Sequence, residues 1–218
     1  MAISLRKKIT TLLRLDFKTI SALLSQKHQG YLFDIGWFEA FKSGSSIDKN
    51  NKPVPWLTYP FISFISERLN KTMDLFEFGS GNSTFFYSEK VNSVTTVEHN
   101  QAWYEKVSTR KKNNVTLLFV PLDENDKYCR SAIESGKKYD LIIIDAEDRV
   151  NCIINCLDAL KENGIIILDD SERKEYLEGV KFLLKNSFKK IDFWGIAPGV
   201  LLKKCTTIFY KPDNCVNI

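Results

Sequence analysis

From residue 73 onward the chain alternates short apolar runs with stretches of helical spacing, the pattern of strands and helices following one another. Met73, Leu75, Phe76 and Phe78 make the first apolar run; residues 93–97, 115–120, 139–144 and 165–168 make four more. Helices are predicted over 85–90, 102–111, 150–160 and 173–185, with Asn163-Gly164 turning the chain into the fifth strand. The fourth run shows no polar face, as a parallel strand covered on both sides requires. Residues 188–194 and 205–210 form two last strands, and the Gly195–Gly199 loop between them leaves no room for a crossover helix, so the final strand enters antiparallel. The pattern predicts an α/β fold with a doubly wound, seven-stranded sheet, mostly parallel, with an antiparallel last strand.

Ahead of this repeat the pattern differs. Residues 3–24 carry Leu5, Ile9, Leu12, Leu13, Phe17, Ile20, Leu23 and Leu24 at helical spacing, with basic residues between them. This predicts an amphipathic basic helix, which packs on its own domain or a second copy, or lies on an anionic membrane surface. Residues 29–60 are aromatic and rich in turns, too apolar for a linker and too broken for regular structure. They are expected to fold over the site as a lid or wall, with Trp37, Trp56 and Tyr59 as candidate acceptor contacts. Pro60 opens a helix over 61–69. The predicted division is an N-terminal helical extension and lid, 1–60, and a ligand-binding domain, 61–218.

The chemistry concentrates where strands end. The first strand runs into Glu77-Phe78-Gly79-Ser80-Gly81-Asn82-Ser83-Thr84, and the second ends at Glu98-His99. A strand, a glycine turn, a helix and a second strand ending in an acid describe a βαβ nucleotide site. Gly79 and Gly81 allow a sharp turn and a close backbone approach to a ligand, while Glu98 is spaced to accept hydrogen bonds from a ribose diol. A dinucleotide fingerprint wants a third glycine where this chain has Thr84, and the acid at Glu77 suits an ammonium better than phosphates. The fourth strand ends in Asp145 and the fifth in Asp169-Asp170, so topology alone brings three carboxylates to one rim. Arg149, which closes the Asp145–Arg149 stretch after the fourth strand, is a further candidate acceptor contact.

Composition narrows the class. The 218 residues are 44% hydrophobic and 27% charged, ordinary for a globular chain, with a net charge of +4. Residues 1–72 hold 11 Lys/Arg against 5 Asp/Glu, and residues 73–218 hold 20 against 22, so the basic character belongs to the front. That balance is too small to imply nucleic acid, although the basic front leaves RNA as a minor alternative. Five cysteines at no framework spacing, with neither a signal peptide nor an 18-residue apolar span, point to reduced thiols in a cytoplasmic protein. Two histidines are too few for a zinc site built on Cys152 and Cys156.

The stretch Glu77-x-Gly79-x-Gly81 resembles motif I of the class I S-adenosylmethionine (SAM) dependent methyltransferases. The likeness covers roughly residues 60–211 and implies a Rossmann-like fold. Pro55-Trp56-Leu57-Thr58-Tyr59-Pro60, the glycine loop, Val97-Glu98-His99, Asp169-Asp170-Ser171-Glu172-Arg173 and Thr207-Ile208-Phe209-Tyr210 are similar to methyltransferases of bacterial surface-polysaccharide gene clusters. The resemblance implies SAM bound by Glu77, Gly79, Ser80, Gly81, Asn82, Ser83, Glu98, His99, Asp123 and Asp145, with Asp123 facing the adenine amino group. It implies O-methylation of a small-molecule or carbohydrate hydroxyl, with Asp145, Asp169 or Asp170 taking the proton. The three aspartates are also similar to the Mg²⁺ ligands of catechol-type O-methyltransferases, but Asp170 stands where that pattern has Asn, which leaves the metal open. An Asn-Pro-Pro-Tyr or Asp-Pro-Pro-Tyr motif of adenine or glutamine N-methyltransferases is absent. The rival readings are an NAD(P)-linked oxidoreductase and a non-catalytic scaffold, and the chain is expected to act alone or as a homodimer.

Overall fold

The computed structural model describes residues 16–122 and 126–218. Seven strands, β1 Asp74–Phe78, β2 Ser93–Glu98, β3 Val115–Phe119, β4 Tyr139–Ile144, β5 Leu160–Asp169, β6 Lys189–Gly195 and β7 Lys204–Tyr210, form one sheet in the order β3-β2-β1-β4-β5-β7-β6. The first five are mutually parallel, and β7 runs antiparallel to both β5 and β6, as expected from the short loop before it.

Burial follows the strand period of two. In β4, Ile142 and Ile144 belong to one core with Phe76, Phe78, Ile166 and Leu168. Leu141 and Ile143 belong to the other, with Leu75, Val94, Ile165 and Ile167. A strand that feeds two cores has no face left for polar residues, which is why this run is apolar throughout its second half. Helices α1 Phe17–Ser25, α2 Tyr31–Asp34, α3 Trp37–Ser43, α4 Tyr59–Ser66, α5 Asn82–Lys90, α6 Gln101–Ser108, α7 Lys127–Glu134, α8 Arg149–Asn155 and α9 Leu177–Lys185, with short 3-10 turns at Leu157–Ala159 and Lys174–Tyr176, surround the sheet.

Several elements differ from the expectation. The basic helix does not run unbroken from residue 3 to 24: Asp16 is extended (φ −69°, ψ 158°) and caps α1, its side chain accepting from Thr19 N at 2.9 Å. The earlier part of that segment lies outside the described residues. Residues 29–60 are more regular than their turn residues suggest, because α2 and α3 form there. Trp37, Leu57 and Tyr59 join the same core as β1 and β4, so packing is continuous across residue 60. Helix α7 was not anticipated; Tyr128, Cys129 and Ala132 form its buried face. Asn163-Gly164 is not a turn ahead of the fifth strand. The β4–β5 register jumps from Tyr139↔Leu160 to Leu141↔Ile165, so residues 161–164 bulge within β5. Among the described residues no helix is long and apolar enough to cross a membrane.

The glycine loop is set by backbone contact with the neighbouring strand. Gly79 has φ +91°, its N–H donates to Val97 O, and a Cβ there would come within 2.4 Å of the Asp145 carbonyl oxygen. Asp145 N in turn donates to Phe78 O at 3.2 Å. The glycine is therefore required by the end of β4, and the sequence-based reason, close approach of a ligand, gives way to close approach of Asp145. Gly79→Ala should destabilise the fold by about 2 kcal/mol or more, from backbone strain and clash together. Denaturant unfolding checks this; a variant as stable as the parent would contradict the contact.

Candidate active site

Beyond the carboxyl ends of β1, β2 and β4 lies a cavity of about 650 Å³, the size of a nucleotide-like ligand. Glu77, Gly79, Ser80, Ser83, Glu98, His99 and Asp145 all line it, from elements far apart in sequence. Asn82 and Gly81 do not; they line a second hollow of about 400 Å³. There Asn82 Nδ2 donates to Ser45 Oγ and Ser46 O at 3.0 and 2.9 Å, tying the loop to the N-terminal segment. Asp123 lies outside the described residues.

The two glutamates are held differently. Glu77 is buried, and its Oε2 accepts from Thr84 Oγ1 at 2.6 Å, while that hydroxyl accepts from Gly81 N at 3.0 Å. Thr84, where a dinucleotide fingerprint has its third glycine, thus links the acid to the loop backbone. Burial raises the Glu77 pKa to about 8; hydrogen bonds from Ser83 and Thr84 oppose the rise and Asp145 adds to it. Glu98 accepts from Ser80 N and Oγ on one oxygen and from His99 N and Asn100 N on the other. Four donors fill a carboxylate's capacity, so a ribose hydroxyl must displace the Ser80 hydroxyl to reach it.

Two wall residues were not foreseen. Trp103, on the helix that follows Glu98, donates its indole N–H to Ser80 O, and its ring lies 3.4 Å from where a Gly81 Cβ would be. It borders both the cavity and the second hollow. Tyr128, from the unanticipated α7, lines the cavity with a buried hydroxyl that makes no hydrogen bond, and burial pushes its phenol up. His99 stands edge-on to it at 5.8 Å, its Nδ1 buried 3.4 Å from Glu98 Oε1. Buried polar atoms without partners on a cavity wall are the groups a bound ligand would satisfy. The only sequence signal for Trp103 was an aromatic three residues into the helix after the β2 acid.

The acidic rim is present, and it is matched by cations. Arg149 donates to Asp145 Oδ1 at 2.9 Å, to Asp169 O and to Ala146 O, and packs over the Tyr176 ring. Its guanidinium ties Asp145 in place, and Arg149 also lines the cavity. Asp170, at φ +51°, pairs with Arg173 at 2.7 Å. Lys204, at the start of β7, pairs with Asp169 at 2.5 Å and Asp170 at 2.7 Å. Burial pushes Asp169 up, helped by Asp145 and Asp170 and opposed by Lys204. Burial works against the Lys204 charge too, but Asp169 and Asp170 outweigh it and raise its pKa. Among the described residues, no three His, Cys, Asp or Glu side chains converge to hold a metal ion.

Of the three aspartates, Asp145 has a side chain 33% exposed, against 2% for Asp169 and 8% for Asp170. Asp145 also borders the cavity, the second hollow and a third of about 450 Å³ lined by Asp169, Asp170, Arg173, Lys203 and Lys204. Trp56 borders the second and third hollows, with its indole N–H on Pro198 O at 2.8 Å. Trp37 and Tyr59 line none of these three hollows: Trp37 is buried with its indole N–H on Val200 O, and Tyr59 is buried in the same core. Both were expected as acceptor contacts and are packing residues.

No protein-family model matches the chain, and no curated protein matches it. Solved structures do. A structure from Staphylococcus aureus provisionally described as a caffeoyl-CoA O-methyltransferase has a TM-score of 0.55 at 14% identity, covering 90% of this chain and all of that one. Precorrin-6y C5,15-methyltransferase of Geobacter metallireducens scores 0.54 at 14% identity, over 68% of this chain and 86% of the other. An rRNA methylase of Streptococcus thermophilus scores 0.50 at 18%, over 70% and 96%. At these identities the likeness is one of fold: the chain has the Rossmann-like fold of the class I methyltransferases.

The elevated Glu77 pKa gives a pH test. A carboxyl raised from 4.5 to about 8 holds an extra proton in the folded state between those values, so its effect on stability becomes unfavourable as pH rises through that window. Glu77→Gln removes the effect. The stability of the variant relative to the parent should therefore increase from pH 5 to 8 and level off above; thermal unfolding across that range checks it, and a flat difference would contradict a buried neutral Glu77.

Proposed function

We propose that this protein is a SAM-dependent methyltransferase acting on a hydroxyl of a small-molecule or carbohydrate acceptor. The observation that carries the reading is Asp145, the accessible carboxylate common to a nucleotide-sized cavity and two adjoining hollows. The cavity's groups fit SAM. Glu77 meets an ammonium as its partner, ionising when it does so. Glu98 meets the ribose once Ser80 gives way. Trp103 and His99 flank the adenosine, and the buried Tyr128 hydroxyl, which makes no hydrogen bond, is free to meet a polar group of the cofactor. The Glu77–Thr84 link disfavours a pyrophosphate here, because Thr84 Oγ1 already takes the Gly81 N–H that would have to hold the phosphates.

SAM supplies a methyl group already activated on a sulfonium, so the protein's task is alignment and removal of one proton. An acceptor in either adjoining hollow brings its hydroxyl to Asp145, which Arg149 holds in place from behind. Asp145 would take the proton that the acceptor hydroxyl gives up as the methyl group is transferred. Asp169 and Asp170 shape the wall and hold the cations. The donor set does not fit Mg²⁺, since Lys204 and two arginines already occupy the carboxylates.

S-adenosylhomocysteine should raise the melting temperature and NAD⁺ should not; the reverse result would replace this reading with the oxidoreductase one. Asp145→Asn should lower kcat for methyl transfer by about 10²–10⁴-fold. Labelled-methyl assays over a panel of hydroxyl acceptors check this, and undiminished transfer would remove Asp145 as the base.

A further inference from the structure

The acidic rim lies at the carboxyl ends of the parallel strands, and β7 is the one central strand that runs the other way. Its first residue therefore arrives at the rim where β5 delivers its last. Thr206 pairs with Asp169 in the β5–β7 register, and Lys204, two residues earlier, extends beyond the end of the ladder over Asp169 and Asp170. Thr206 Oγ1 donates to Asp169 Oδ1 at 2.8 Å, leaving Oδ2 to Lys204.

We propose that the Lys204 ammonium is the resident cation of this rim, seated where a divalent metal would have to bind, and that Lys204 positions the two carboxylates without one. An ion at about 2.1 Å from Asp169 Oδ2 and Asp170 Oδ1, the distance Mg²⁺ demands, would overlap an ammonium already 2.5 and 2.7 Å from the same two oxygens. Charge leads to the same conclusion. Asp145, Asp169 and Asp170 face Arg149, Arg173 and Lys204, three anions against three cations in a mostly buried cluster. A divalent ion added there would leave two uncompensated charges in a site that offers little solvent. The backbone supports a fixed arrangement: Asp170 is left-handed, and its carboxylate is clamped by Lys204 on one oxygen and Arg173 on the other. The cation is thus built into the chain.

This inference deepens the methyl-transfer reading by making it metal-independent, but its test does not need the reaction. The full-length protein is titrated with Mn²⁺ and followed by electron paramagnetic resonance. The wild type should leave the free-ion signal unchanged. Lys204→Ala, which opens the seat, should bind Mn²⁺ at least about tenfold more tightly, and adding Asp169→Asn should abolish the gain. If the alanine variant does not fold, Lys204→Gln takes its place. Mn²⁺ binding by the wild type that Asp169→Asn removes would overturn the proposal, as would no gain in the Lys204 variant. A normal Mn²⁺ result with no binding of S-adenosylhomocysteine would overturn the methyltransferase reading and leave Lys204 in its seat. Where transfer can be assayed, EDTA should leave the wild-type rate unchanged, and a rate that EDTA abolishes and Mg²⁺ restores would also overturn it.

Discussion

The site depends on the contact between Gly79 and the end of β4. Parallel strands in one sheet lie a fixed distance apart, and the turn leaving β1 must pass the last residue of its neighbour. Only a residue without a Cβ can do so with the Asp145 carbonyl oxygen 2.4 Å from the Cβ position. The consequences spread outward. Asp145 N bonds to Phe78 O, so the acid is fixed relative to the loop by main-chain atoms on both sides. Its carboxylate is then steered by Arg149, four residues further along at the start of α8. The accessible carboxylate thus stands beside the loop because the backbone allows no other arrangement.

The strand order and the antiparallel closure were legible because they rest on local quantities, namely apolar run length, the period of two and a loop too short for a helix. The same holds for the positions of Glu77, Glu98, Asp145 and Asp169: a carboxylate ending a parallel strand reaches the ligand side of the sheet whatever else the fold does. Helix α7 was hidden because its buried face is only Tyr128, Cys129, Ser131 and Ala132 within eight residues, too short and too polar a sample for an apolar period of 3.6 to emerge. The break at Asp16 was hidden for the opposite reason. The apolar spacing continues through it, and only the capping hydrogen bonds reveal the new helix start.

Side-chain roles were legible only where the backbone decides them. Trp37, Trp56 and Tyr59 look alike in sequence, but Trp37 and Tyr59 open two helices that pack into the core, whereas Trp56 sits in the bend between them and faces the hollows. Arg149 was read as a contact for the acceptor because its charge was visible and its partners were not. Those partners, Asp145 and the Asp169 carbonyl, come from two different strands. Lys204 is the extreme case: 35 positions separate it from Asp169, and only the reversed direction of β7 joins them. Acids at the ends of parallel strands can be foreseen, whereas the cations that neutralise them arrive by tertiary routes.

That asymmetry bears on how such rims are interpreted. Three aspartates at one edge suggest a metal when read along the chain, because clustered carboxylates repel one another and something positive must offset them. The physical requirement is for positive charge, and it does not specify a metal. Here Arg149, Arg173 and Lys204 meet it with side chains whose hydrogen bonds also fix where each carboxylate points. A covalently anchored cation has no dissociation constant and needs no dehydrated ion to enter a buried site. The arrangement leaves Asp145 as the one of the three aspartates with substantial exposure, while Asp169 and Asp170 are held in buried ion pairs.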